Sequence, residues 1–143
     1  MKPLPHVYTV RIAGGAAGHA TLSSDGVADL LTAPPVDFDG PGDVWSPEQL
    51  LLAAVESCFV LTFRSVAQAS GIPFTSLVVE GEGTIDRQDG GMRFTEIVIR
   101  PRVALPAGVD HVRVLRALEK AERVCLVARS LDTPVRLEPE VVG

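Results

Sequence analysis

Ser46-Pro47-Glu48-Gln49-Leu50-Leu51-Leu52-Ala53-Ala54-Val55-Glu56-Ser57-Cys58-Phe59 is the stretch on which the fold turns. Ser46 can cap a helix, Pro47 suits the first helical position, and Gln49 stands three residues after Ser46, as a capping box requires. The pattern predicts a helix continuing to Ser70, where Gly71 and Pro73 stop it. That is about 24 residues, or roughly 36 Å at the helical rise. Leu50, Leu51, Leu52, Val55, Phe59, Val60, Leu61, Phe63 and Val66 cannot share one narrow stripe. A helix apolar on most of its circumference has to be buried on most of it. One small domain covers such a helix poorly, so a homodimer is expected in which two copies of the helix pack at or near the interface.

The chain on either side reads mainly as strand. Residues 7–12 and 19–22, separated by Gly14-Gly15-Ala16-Ala17-Gly18, and residues 27–31 after a turn at Ser23-Ser24-Asp25-Gly26 predict a small antiparallel meander. Pro34, Pro35, Gly40, Pro41 and Gly42 make the link to the helix irregular. Beyond the helix, residues 77–87 alternate, with Leu77, Val79, Gly81, Gly83 and Ile85 on one face. Gln88-Asp89-Gly90-Gly91 forms the turn of a hairpin. The return strand, residues 92–105, places Thr95, Ile97, Ile99 and Val103 together. Asp110 caps a second helix with apolar Val112, Leu115, Leu118 and Ala121; residues 125–131 add a short helical segment, and Val135, Leu137 and Val141 lie in a closing strand. The class is α+β with mainly antiparallel sheet, in one domain over residues 1–143.

Composition narrows the function. The 143 residues are 46% hydrophobic and 22% charged, with a net charge of -5 and no run of Lys or Arg. That balance argues against nucleic acid and anionic membrane surfaces as partners. The apolar stretch 50–69 carries Glu56, Arg64 and Gln68, and its longest unbroken apolar run, 50–55, is too short to span a bilayer. The N-terminus, interrupted by Pro3 and Pro5, has no apolar core of a secretory signal. A soluble, cytoplasmic protein is expected. His6, His19 and His111 are scattered, so no metal site is expected. The loop at 14–18 lacks the features of a phosphate cradle, and Ser57 lacks a nucleophile-elbow context. No cofactor is expected.

The chemistry therefore falls to two cysteines. Taken alone, each reads as a small buried hydrophobe, and a permanent disulfide is out of place in a reducing cytosol. Cys125 opens a short helix, where free backbone N–H groups favour a thiolate, and Arg129 four residues on can share its face. Glu48, in a first turn, favours the helix dipole.

Ser46-Pro47-Glu48-Gln49-Leu50-Leu51-Leu52-Ala53-Ala54 followed by Ser57-Cys58-Phe59 resembles the first cysteine helix of the OsmC/Ohr family. Cys125-Leu126-Val127-Ala128-Arg129-Ser130-Leu131 resembles its second cysteine motif. The likeness runs over almost the whole chain from about residue 10. It implies an intertwined α+β homodimer with antiparallel sheets around a long central helix. It implies a thiol peroxidase acting on organic hydroperoxides, with Cys58 as the attacking thiolate. Cys125 would be the resolving thiol that closes a Cys58–Cys125 disulfide. A thiol reductant, a dihydrolipoyl protein in some family members, would restore the dithiol.

Glu48 matches the family's catalytic glutamate, which orients an arginine near the thiolate. The family places that arginine in the first meander, where this chain has Ala16 or Ala17. Without it, Cys58 in apolar surroundings is expected to have a raised pKa, with His19 and Arg11 as substitutes to be tested. The departure opens a rival reading: a redox-sensing or small-ligand-binding dimer of the same fold with little or no turnover. Glu48 and Cys58 are ten positions apart on one helix, roughly 15 Å. Any help from Glu48 is therefore expected to reach Cys58 across a dimer.

Overall fold

The computed structural model describes all 143 residues. Its contacts divide the chain into two compact units, Met1–Leu50 and Leu51–Gly143.

In the first unit, β1 (Arg11–Ala13), β2 (Ala20–Ser23) and β3 (Leu30–Thr32) form the expected antiparallel meander in the order β1-β2-β3. The strands are shorter than the apolar pattern predicted, and residues 7–10 are exposed and outside any strand. A single 3-10 turn at Val36–Phe38 follows. The link then returns to the sheet, where Ala33 N–H donates to the Trp45 carbonyl (3.3 Å). This main-chain pairing leaves the Trp45 side chain half exposed. The first helix, α1 (Pro47–Ala69), begins with the capping box that the sequence announced. Ser46 N–H donates to Gln49 Oε1 (2.9 Å), and Gln49 N–H donates to Ser46 Oγ (3.2 Å). Ser46 is buried, so neither group can fall back on water.

In the second unit, α1 lays Val55, Phe59, Phe63, Val66 and Ala67 into the core. The spacing of four, four, three and one is a single helical stripe. Opposite lie β4 (Ser76–Gln88) and β5 (Gly91–Ala104), paired antiparallel around an Asp89-Gly90 turn in which both residues have positive φ (53° and 83°). That is the backbone a two-residue hairpin loop demands. The inward face of β4 is the predicted one at Leu77, Val79, Gly81 and Gly83, with the residues between them exposed, but Ile85, expected on that face, lies past the break in register after Thr84 and is exposed.

The two glycines let α1 come close. A Cβ on Gly81 would lie 2.8 Å from the Glu56 carboxyl carbon. One on Gly83 would meet the Phe94 ring at 2.6 Å and Leu52 at 2.9 Å.

Three expectations change. A β-bulge breaks the register between Thr84 and Ile85, leaving Thr95 as the extra residue. The parity of β5 shifts there, so Phe94 packs against the core in place of Thr95, whose hydroxyl donates to the Thr84 carbonyl (3.3 Å). The second helix, α2 (His111–Val124), is capped by Asp110 as predicted, with Val112 N–H donating to its carboxylate (3.0 Å). Its buried face is Val114, Ala117, Leu118 and Ala121, however, and Val112 is 54% exposed. A spacing of three drifts around a helix of 3.6 residues per turn, so it cannot follow one buried face. Lastly, the closing segment forms β6 (Val135–Leu137) and β7 (Glu140–Val142), both parallel to β5. The sheet is therefore mixed, because α2 carries the chain back before it rejoins β5.

Glu56 is half-buried above Gly81, and burial, followed by the nearby Glu80 carboxylate, raises its pKa. A carboxyl whose folded pKa is raised opposes folding once ionised. The cost is fully present above the folded pKa and disappears as pH falls below the ordinary carboxyl value. Glu56→Gln is expected to raise the Tm at pH 7, with the gain vanishing in acid. Thermal melts across that range check it; an equal gain at every pH would assign the effect to packing.

Candidate active site

Cys58 lies near the middle of α1, half-buried, one residue before the core residue Phe59. Cys125 is 1% exposed and sits where α2 ends and the one-turn helix α3 (Leu126–Arg129) begins. Its extended backbone (φ -61°, ψ 113°) breaks the helix between Val124 and Leu126. The break leaves the N–H groups of the next residues free of helical partners. Both cysteines are free thiols.

The site brings these sulfurs together. Burial pushes the Cys58 thiol up, but four hydrogen-bond donors outweigh it: Val127 N–H, the Cys125 thiol, the Thr62 hydroxyl and Leu126 N–H. The net result lies below the ordinary thiol value, the reverse of the shift expected from the missing arginine. That expectation counted the apolar wall and the lost cation but not the turn of main chain that α3 presents. Cys125 goes the other way. Burial raises its pKa, and the hydrogen bond to Cys58 and the charge on Cys58 raise it further, against opposition from the N–H groups of Ala128 and Val127. Of the two, Cys58 is the thiol whose ionisation the arrangement favours.

An open cavity of about 510 Å³ gives access to Cys58, lined also by Ala54, Ser57, Leu61, Thr62, Ser65 and Val127. Apart from Cys58, no lining residue is ionisable. Arg129, expected near Cys125, is exposed and lines a separate recess with Glu122, Arg123, Ala128, Thr133 and Val135. Thr62 and the N–H groups of Leu126 and Val127 escaped sequence reasoning. A hydroxyl four residues past a helical cysteine was a readable signal for Thr62. The N–H groups depend on where α2 breaks.

Glu48 belongs to the first unit, in the first turn of α1. With Gly18, Ala20, Thr32, Pro34, Phe38 and others it lines a largely apolar cavity of about 360 Å³. Glu48 Oε2 and Thr32 Oγ1 are both buried there without a hydrogen-bond partner. No Arg, Lys or His is in that lining. His19 is bonded to Asp43 instead (3.0 Å), and Arg11 is exposed on β1.

Known proteins resemble this chain in sequence and in fold. Residues 40–140 match the family model described as OsmC-like protein. The chain is 32% identical over 109 residues to the uncharacterized protein YmaD of Bacillus subtilis (strain 168), covering 74% of this chain and 73% of that one. It is 28% identical over 93 residues to Peroxiredoxin OsmC of Escherichia coli (strain K12), covering 65% and 64%. Among solved structures, the organic hydroperoxide resistance protein OhrB of Bacillus subtilis superposes with a TM-score of 0.67 at 25% identity, covering 95% of this chain and 98% of that one. The chain belongs to the OsmC/Ohr family of OsmC-like proteins.

Proposed function

We propose that this protein is a cytoplasmic, homodimeric thiol peroxidase that reduces organic hydroperoxides. The observation that carries the reading is the pairing of two facing cysteines whose pKa values are shifted in opposite directions, Cys58 down by hydrogen-bond donors and Cys125 up by burial. The Cys58 thiolate attacks one peroxide oxygen; the S–O bond forms as the O–O bond breaks, and the leaving alkoxide takes up a proton as the alcohol. Cys58 is then a sulfenic acid. Cys125 sulfur attacks it, forming the S–S bond and releasing water. A dithiol reductant, such as a dihydrolipoyl protein, takes the disulfide back to two thiols. The uncharged cavity, with Ala54, Leu61 and Val127 in its wall, suits an alkyl substituent better than bare hydrogen peroxide.

Dimerisation is supported by surface that a lone chain leaves in water. In the first unit Ile12, Leu30, Leu31, Phe38 and Trp45 are each more than 40% exposed, and on α1 Leu61 is 57% exposed. Exposed apolar side chains in this number support a covering partner. Glu48 has no cation to orient within its own cavity, and that favours the rival reading of a redox sensor oxidised only once. Peroxide consumption with excess dithiol separates the two. The enzyme turns over many equivalents and prefers an alkyl hydroperoxide to hydrogen peroxide. A sensor stops at one equivalent per Cys58.

We further assign Glu48 a role at the partner's Cys58, given the roughly 15 Å between positions 48 and 58 on one helix. Mixing Glu48→Ala chains with Cys58→Ser chains under subunit exchange is expected to restore activity above either parent, since each mixed dimer has one intact site. No recovery despite proven exchange rejects the assignment.

A further inference from the structure

Three hydroxyl side chains line the cavity beside Cys58: Ser57, Thr62 and Ser65. Two are committed to their own helix. Ser57 Oγ donates to the Ala54 carbonyl and Ser65 Oγ to the Leu61 carbonyl, each at 3.3 Å. Such back-bonding is the usual fate of a hydroxyl inside a helix. Thr62 lines the same cavity as Cys58, and its hydroxyl is placed to lower the pKa of that sulfur. It stands four residues after Cys58, on the same face of α1, and is half-buried. A β-branched side chain in a helix has few rotamers open to it, so this donor is held in place at little entropic cost.

Its importance follows from what else surrounds the sulfur. Cys125 faces Cys58 from the start of α3 and is itself titratable, while the cavity wall contributes no charge. On α1, Glu56 is turned toward Gly81 of β4 and Arg64 is exposed. Arg129 of α3 lines the other recess. A thiolate here has neutral donors in place of a cation, and Thr62 is the one supplied by a side chain that does not take part in the disulfide. We propose that Thr62 is an activating residue of this site: its hydroxyl donates to the Cys58 thiolate and holds the sulfur toward the cavity.

The proposal rests on Cys58 being the reactive thiol, and a peroxide-independent readout tests it. Alkylation of Cys58 by monobromobimane is followed against pH in the full-length protein, with the modified residue located by peptide mass spectrometry. Thr62→Val keeps the shape and removes the donor. It is expected to move the midpoint of the profile up by about one pH unit and to slow alkylation at pH 7 several-fold. Thr62→Ser keeps the donor and is expected to stay within about twofold of the parent. Thr62→Ala, which introduces no new methyl contact, is expected to reproduce the Thr62→Val shift should the latter fold poorly. An unchanged midpoint in Thr62→Val and Thr62→Ala overturns the proposal. So does a Thr62→Ser shift as large as theirs, which would trace the effect to packing. If the shifts occur while no variant, nor the parent, consumes peroxide, the peroxidase reading falls and the role of Thr62 stands.

Discussion

Cys58→Ser is expected to reduce peroxide turnover by about three orders of magnitude or more, to the rate of buffer and reductant alone. Serine at this position has no accessible anion: its hydroxyl stays protonated at neutral pH, and the donors arranged around the sulfur have no thiolate to stabilise. Cys125→Ser is expected to behave differently. It keeps the attacking thiol and so consumes one equivalent of hydroperoxide per chain. It then stops with Cys58 as a sulfenic acid, because no second sulfur is present to displace water from it. The first round is expected to be slower as well, since the Cys125 thiol is one of the donors that lower the Cys58 pKa. Stopped-flow measurement of a single turnover, with a sulfenic-acid probe and mass spectrometry, reads all three outcomes. Equal first-round rates in the two variants would reverse or remove the assignment of nucleophile and resolver. The pH dependence has a definite sign. With Cys58 depressed below the ordinary thiol value, the first-round rate falls as pH drops through that lowered pKa, at a lower pH than for an ordinary thiol.

Phe63→Ala is expected to have the largest effect on stability, roughly 3–5 kcal/mol. Phe63 is completely buried, and its ring lies 5.3 Å from that of Phe74 in a tilted arrangement. It occupies the stripe of α1 that meets the sheet, five residues after Cys58. Truncation removes a large apolar side chain and opens a cavity among side chains that are themselves buried. Against a typical domain stability of about 5–15 kcal/mol, that loss unfolds a substantial fraction of molecules on modest warming. Urea unfolding checks the number. A shift worth less than about 1 kcal/mol would show that the stripe is not the core described here. Activity per folded molecule is expected to change far less than stability, because Phe63 does not line the Cys58 cavity.

Much of this architecture was readable in the residues because local chemistry decides it. Ser46, Pro47 and Gln49 start α1 through contacts that span three residues. Asp110 caps α2 in the same local way, and Asp89-Gly90 turns the hairpin because few residues tolerate its positive φ. The alternation in β4 named its inward face. The two cysteine motifs, read through their family likeness, named the sulfurs that the fold brings face to face.

What the sequence could not decide depends on residues far apart in the chain. Thr95 lost its inward place to Phe94 because a bulge is a property of two paired strands, and its position is set by the partner. The buried face of α2 follows from which side meets the sheet, which a spacing of apolar residues in a short helix leaves open. The parallel pairing of β6 and β7 is fixed by where α2 delivers the chain. The protonation of Cys58 is the clearest case. Burial and a missing arginine argue for a thiol when the sequence is read alone. The tertiary structure shifts the balance toward the thiolate, because packing α3 against α1 aims main-chain N–H groups, one thiol and one hydroxyl at the same sulfur. Hydrogen-bond donors act over about 3 Å, and no sequence pattern states which residues separated by some 67 positions will come that close.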